Sequence, residues 1–139
     1  MYSKHHGLLS ALVGLPVAAA APPGEGLWIW ASMVVVGVGI DVDHFVVARL
    51  NRGDWLNLRR CLADPSLVVG GQEEIFDPGD LWRDQRLLSH LLIGGALVGA
   101  LWAVDRYWAI AMAVTVYTHL VADLYSDART REAYLAGEI

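Results

Sequence analysis

Cysteine occurs once in the 139 residues, as Cys61, which excludes an intramolecular disulfide framework and any cysteine-based zinc knuckle. Charge is also scarce. Charged residues make up 18% of the chain, where about 25% is usual. The net charge of -5 lacks the basic footprint that nucleic-acid binding leaves on a domain. Neither a nucleotide-binding glycine loop nor an internal repeat is present, and the length allows one domain.

What the chain holds instead is apolar residue. Hydrophobic residues reach 55% before the 14 glycines are counted, and the mean hydropathy of +0.41 is incompatible with intrinsic disorder. Four stretches carry this excess: Leu8–Ala21, Leu27–Ile40, Leu87–Val104 and Tyr107–Tyr125. None alternates with period 2, so helices are expected. Pro22, Pro23, Gly24 and Gly26 break the first pair, and Asp105-Arg106 breaks the second. The pattern predicts an all-α fold: a four-helix transmembrane bundle made of two helical hairpins joined by a polar cytoplasmic loop. The helices are placed at about 7–22, 27–48, 87–104 and 107–125, the loop at about 49–86 and the tail at 126–139. A span needs about 20 apolar residues. The first two stretches are short, at 14 residues each, unless the helices run on into their polar flanks.

Lysine and arginine fix an orientation by the positive-inside rule. Nine of the ten lie in the N-terminal stub, long loop and tail; only Arg106 lies on the other side. Both termini are therefore expected in the cytoplasm, with the protein multi-pass in the inner membrane and the bilayer as its partner. The seven acids of the long loop exclude a polybasic lipid-binding patch. Trp28, Trp30, Trp102, Tyr107 and Trp108 fall at the opposite helix ends, as an aromatic belt or as core packing. Lys4, the run Leu8–Val17 and the tract Ala18–Ala21 also fit a cleaved signal peptide.

All five histidines sit at edges of the apolar stretches. In this topology His6, Asp41, Asp43, His44, His90, His119 and Asp123 reach one face, the cytoplasmic one. His119 and Asp123 are spaced i,i+4 and Asp41 and His44 i,i+3, so each pair shares a helical face. Asp43 falls off the Asp41/His44 face and is read as a bridging ligand or general base. Imidazole plus carboxylate is a ligand set for zinc, and also for manganese or iron. Interfacial histidines and aspartates also cap helices and face water. Convergence from four segments favours a site for one or two divalent ions.

These residues fall in HHGLLS, IDVDH at Ile40–His44, QRLLSH at Gln85–His90 and THLVAD at Thr118–Asp123. In order and spacing over nearly the whole chain, they resemble the small membrane-bound metal-dependent hydrolases of bacteria and archaea, including SOS-inducible inner-membrane proteins. That family shows an N-terminal His, a Pro-Asp-x-Asp-His, a His-Arg-Gly-x-Thr-His and a Ser-His-x-x-x-Asp. The resemblance selects His6 over His5, because the small residue four positions on is Ser10. It implies a hydrolase in which the ions activate water against a phosphoester, a phospholipid head group being the natural substrate at this depth. Arg86 matches the family arginine and is expected to clamp a phosphate. Two departures stand out. Ile40 replaces the proline, and Gln85 replaces a histidine, for which the adjacent Asp84 is the candidate substitute.

Two other classes compete. A non-catalytic metal- or proton-handling membrane protein would also bury Asp and His, yet the outer halves of the helices hold none. A soluble or secreted zinc phospholipase C-like helical hydrolase would tolerate the short first helices. Three minor expectations complete the reading. Pro16 is expected to kink the first helix. Gly95 and Gly99 form a GxxxG for close packing, within the bundle or as a homo-oligomer through helix 3. Segment Asp64–Asp80, flanked by Trp55 and Trp82, is expected to be an irregular loop lying over the site.

Overall fold

The computed structural model describes residues 3–71 and 74–137. Residues 72 and 73, inside the expected loop, and 138–139, at the end of the expected tail, lie outside the described residues. The described fold is all-helical, with no strand among the described residues. It comprises α1 (Ser3–Ala19), α2 (Gly26–Gly39), a 3-10 turn (Ile40–Val42), α3 (Asp43–Arg52), α4 (Leu56–Ala63), α5 (Ser66–Gly70), α6 (Arg83–Trp102), α7 (Arg106–Arg129) and α8 (Arg131–Ala136).

Four long helical runs form two hairpins. Helix α1 packs on α2 and α6 on α7, while α7 also packs against both α1 and α2, and α3 against α6. Central α7 buries Ala109, Met112, Val116, His119 and Asp123, a three-four alternation that keeps one stripe facing inward. Around Met112 the core gathers Ile29, Met33 and Ala111, edged by Val17, Leu97 and Trp108. Farther along the same stripe, the apolar side chains give way to His119 and Asp123.

Glycine sets how closely the helices approach. A Cβ on Gly37 would collide with the side chain of Ser10, and one on Gly94 would come within 2.5 Å of Val116. The close contact of α6 with α7 thus uses Gly94. Gly95 and Gly99, expected to pack, face open space. The aromatics divide. Trp28 and Trp102 point outward, whereas Trp30 donates to the Ala11 carbonyl (3.0 Å), Trp108 to Glu25 (2.8 Å) and Tyr107 to the Val17 carbonyl. The last two join the hairpins at the end remote from the histidines.

Several boundaries differ from the expected ones. Helix α1 starts at Ser3 and ends at Ala19, so that His5 and His6 lie within it and Pro16 falls in its last turns. The second run is longer than its apolar stretch, because the 3-10 turn carries it on into α3. The loop of 49–86 contains two short helices, α4 and α5. Asp80 ties it together, accepting from Asn57 Nδ2 (2.9 Å), the Asp77 amide (3.0 Å) and Arg52 Nη1 (3.3 Å). Against the desolvation that opposes its charge, these donors hold the Asp80 carboxyl below the usual carboxylate range. Ser126 onward extends α7 and then forms α8.

Two runs, Gly26–Arg52 (27 residues) and Arg106–Arg129 (24 residues), are long and apolar enough to cross a membrane. The other two fall short for a physical reason. Helix α1 has 17 residues, about 26 Å of rise, and the first turn of α6 is spent on Arg83, Asp84 and Arg86.

Candidate metal centre

Polar side chains are buried where four helices meet. His6, His90, His119 and Asp123 are 1%, 0%, 2% and 3% exposed, contributed by α1, α6 and α7, while Asp41 comes from the 3-10 turn and Asp43 and His44 from the start of α3. All seven residues expected to ligate a metal are therefore brought to one end of the bundle.

Their donor atoms form two groups that share Asp41. In the first, His6, Asp41, His119 and Asp123 each offer an atom within 4.8 Å of the others. His6 Nε2 lies 3.2 Å from Asp123 Oδ1, and His119 Nε2 lies 3.3 Å from Asp41 Oδ1 and 3.5 Å from Asp123 Oδ2. In the second group, Asp41, His44 and His90 converge. His90 Nε2 is 3.3 Å from both Asp41 Oδ1 and His44 Nε2, and His44 Nε2 is 3.5 Å from Asp41 Oδ1.

These spacings fit a divalent ion. Two donors about 2.0–2.1 Å from a shared tetrahedral zinc stand about 3.3–3.4 Å apart. The orphaned atoms point the same way. Both ring nitrogens of His6, Nε2 of His119 and Oδ1 of Asp43 are buried without a hydrogen-bond partner of good geometry, although carboxylates stand 3.2 Å from His6 Nε2 and 3.3 Å from His119 Nε2. Buried polar atoms are normally satisfied, and exceptions call for an explanation such as an ion. Three clustered carboxylates also repel one another, a conflict that a divalent cation relieves.

The far sides of the imidazoles are held as ligands require. His119 Nδ1 donates to the Gly37 carbonyl (2.9 Å), which leaves the Nε2 lone pair facing the group. His90 Nδ1 lies 2.8 Å from Asp43 Oδ2, the carboxylate–histidine arrangement that orients a metal-binding ring. Asp41 and Asp43 thus grip opposite edges of one imidazole. Their separation onto different faces was expected; the orienting role that it creates for Asp43 was not. Asp43 belongs to neither donor group, and its Oδ1 stands 3.8 Å from His44 Nε2. The rings of His6 and His119 stack with centroids 3.7 Å apart.

Arg86 is already engaged. Its Nη2 donates to both oxygens of Asp127 at 2.8 Å, and its Nε lies 3.6 Å from Asp123 Oδ2. It supports Asp123 from behind, a role the expected phosphate clamp did not include. Asp127 carries no motif signal; only its position one turn beyond Asp123 hints at it. Gln85 stands apart from the donors and exchanges two hydrogen bonds with Asn51 (2.6 and 3.1 Å). Asp84 is exposed and in neither group, so it does not replace the missing histidine. His5 is also outside both groups.

A cavity of about 690 Å³ opens onto Asp41 and His44. Val68, Ile75, Phe76 and Leu81 from the segment between α4 and α6 line it, and Phe76 stands edge-on to His44 with centroids 6.1 Å apart. The segment expected to cover the site therefore reaches it, although part of it is helical. Comparison of the chain with protein families, with curated proteins and with solved structures finds no match.

Proposed function

We propose that the protein is a membrane-embedded, metal-dependent hydrolase acting on phosphoesters at the cytoplasmic face of the inner membrane. The observation that carries this reading is the asymmetry of the donor groups. One group has four protein donors; the other has three and borders a cavity. Catalytic zinc sites typically keep three protein ligands and one open position. A divalent ion bound there, zinc by its ligand set, supplies Lewis-acid polarisation and lowers the pKa of water.

The chain's own residues have separable tasks. Asp41, shared by both groups, sets their spacing. Asp43 fixes the ring orientation of His90, and its second oxygen, 3.8 Å from His44 Nε2, is assigned the role of proton acceptor. Arg86 holds Asp123 in place and balances its charge. The apolar cavity wall excludes water around the reacting ester, which strengthens every charge interaction inside.

The four-span reading is supported by the distribution of side chains, and the cytoplasmic termini by the placement of lysine and arginine in the sequence alone. Leu8, Leu12, Leu15, Val35, Leu91, Leu92, Ile110 and Tyr117 face outward, while histidine, serine, threonine and aspartate are buried. Exposed apolar surface on this scale suits a lipid environment. Short spans are accommodated by local bilayer thinning at modest cost. Retention of the first helix is supported by His6, Ser10 and Gly14, all buried in the bundle. The donors lie at one end only, which favours surface chemistry over a transport path.

The test is metal analysis of detergent-purified protein, combined with hydrolysis of a phosphoester before and after chelation. Bound divalent metal, activity lost on chelation and restored by Zn²⁺ or Mn²⁺, and lowered metal content and activity in Asp123→Ala are expected. Unchanged metal content in Asp123→Ala would refute the site. Release of the protein by carbonate washing of membranes would refute the spans.

A further inference from the structure

We propose that the substrate is an anionic lipid phosphoester that enters sideways from the bilayer, through a gap between α1 and the C-terminal end of α7. The proposal rests on the hydrolase reading and adds, to the lipid head group that the resemblance implies, the groove that takes its chain and the route by which it enters.

Beside the cavity that opens onto Asp41 and His44 lies a second one, of about 480 Å³. The two share His5, Ser126 and Thr130 as lining residues, so they adjoin, and in this proposal the second is a side entrance to the first. Its walls suit an amphiphile at the membrane surface. Leu8 and Leu9 of α1 and Tyr125 of α7 form the apolar side, the leucines within one turn inward of His6 and Tyr125 just beyond Asp123. Leu8 and Tyr125 are more than half exposed, so the groove opens laterally between helices, at the depth where acyl chains meet head groups. Arg129 stands at its mouth, its Nη1 donating to the Tyr125 hydroxyl (3.0 Å). An exposed guanidinium at this place suits a phosphate through its planar fork of donors.

The inner cavity continues the pattern. Val38, Val42, Phe45, Ile75 and Phe76 give it largely apolar walls, while Arg83 and Arg86 border it on one side and Asp41 and His44 form its polar limit. A small water-soluble phosphate ester would leave this apolar wall unused. Pockets of roughly 300–1,000 Å³ suit ligands of lipid-head size. Chain in the groove, phosphate past Arg129 and His5, ester bond at the three-donor group: one molecule satisfies both cavities. The fifth histidine, which neither donor group uses, then lies on the path.

The experiment uses the full chain in detergent, loaded with Zn²⁺. Equilibrium binding of dioctanoyl phosphatidic acid is compared with that of glycerol 3-phosphate, and turnover of each is followed separately. The lipid is expected to bind at least about tenfold more tightly. Ser126→Trp, which fills the neck shared by the cavities, is expected to reduce that preference by about tenfold with helicity and metal content retained. Leu9→Ser shifts it in the same direction by less, and it carries the test if the tryptophan variant does not fold. Equal affinity for the two ligands, or unaltered lipid preference in both variants, overturns the proposal. Cleavage of glycerol 3-phosphate without lipid preference also overturns it and leaves the hydrolase reading standing. Lipid bound with the expected preference but never cleaved overturns the hydrolysis and leaves the lipid recognition.

Discussion

The two donor groups share one carboxylate and differ in nearly everything else. His6, His119 and Asp123 are buried among α1, α2 and α7, and the group they form with Asp41 has four donors. The group of Asp41, His44 and His90 is more open: Asp41 and His44 are only partly buried and line a cavity. The supports differ as well. His119 is oriented by a main-chain carbonyl, a fixed feature of the helix packing, and His90 by the side chain of Asp43. A closed, backbone-supported group suits an ion that stays, and an open one suits an ion that meets substrate.

The largest expected effect comes from the shared donor. Asp41→Ala is expected to lower metal content at both groups and reduce hydrolysis by more than about a hundredfold, as read by elemental analysis beside turnover. Near-normal metal content would dissolve the idea of a common carboxylate. Next, His119→Ala and His44→Ala should each lose about one metal equivalent, but from different groups. Only the histidine-44 variant should bind substrate with an altered KM. If both variants lost all metal together, the groups would be one site.

Asp43→Asn keeps the size of the side chain and removes its charge. Metal affinity at the three-donor group is expected to fall about 10- to 100-fold, with the four-donor group unchanged, in a competition titration against a chelator of known affinity. Loss at both groups would mean that Asp43 supports the whole cluster. The smallest effect belongs to Gln85→Ala, which breaks the reciprocal pair with Asn51. It should cost less than about 1 kcal/mol in unfolding and leave metal content untouched; any loss of metal would return Gln85 to the site.

Much of this comparison was legible in the sequence. The four apolar stretches marked the helical runs, and position alone brought His6, Asp41, His44, His90, His119 and Asp123 to one end. What spacing could not supply was the division into two groups, since this depends on how α1, α2 and α7 approach at Gly37 and Ser10. Local pattern does not report such helix-to-helix contacts. The same limit hid Asp127, whose importance arises only from the bidentate contact with Arg86. It hid Gly94 too, which packs where the GxxxG pair was expected. Helices α4 and α5 were missed because α4 has eight residues and α5 five, too few for a clear periodic signal. The second helix was expected to run on through its polar flank to about residue 48, and it continues to Arg52. What the flank did not announce is the 3-10 turn, which with the start of α3 aims two carboxylates at one ring.

His6 lies in the first helix and Asp123 in the last long one, with their side chains 3.2 Å apart. During synthesis the four-donor group therefore cannot exist until α7 has been made and seated against α1. Ion uptake at this group would then report that α1 and α7 have met. Because binding free energy at such a site is also folding free energy, an ion held there would tie α1 to α7.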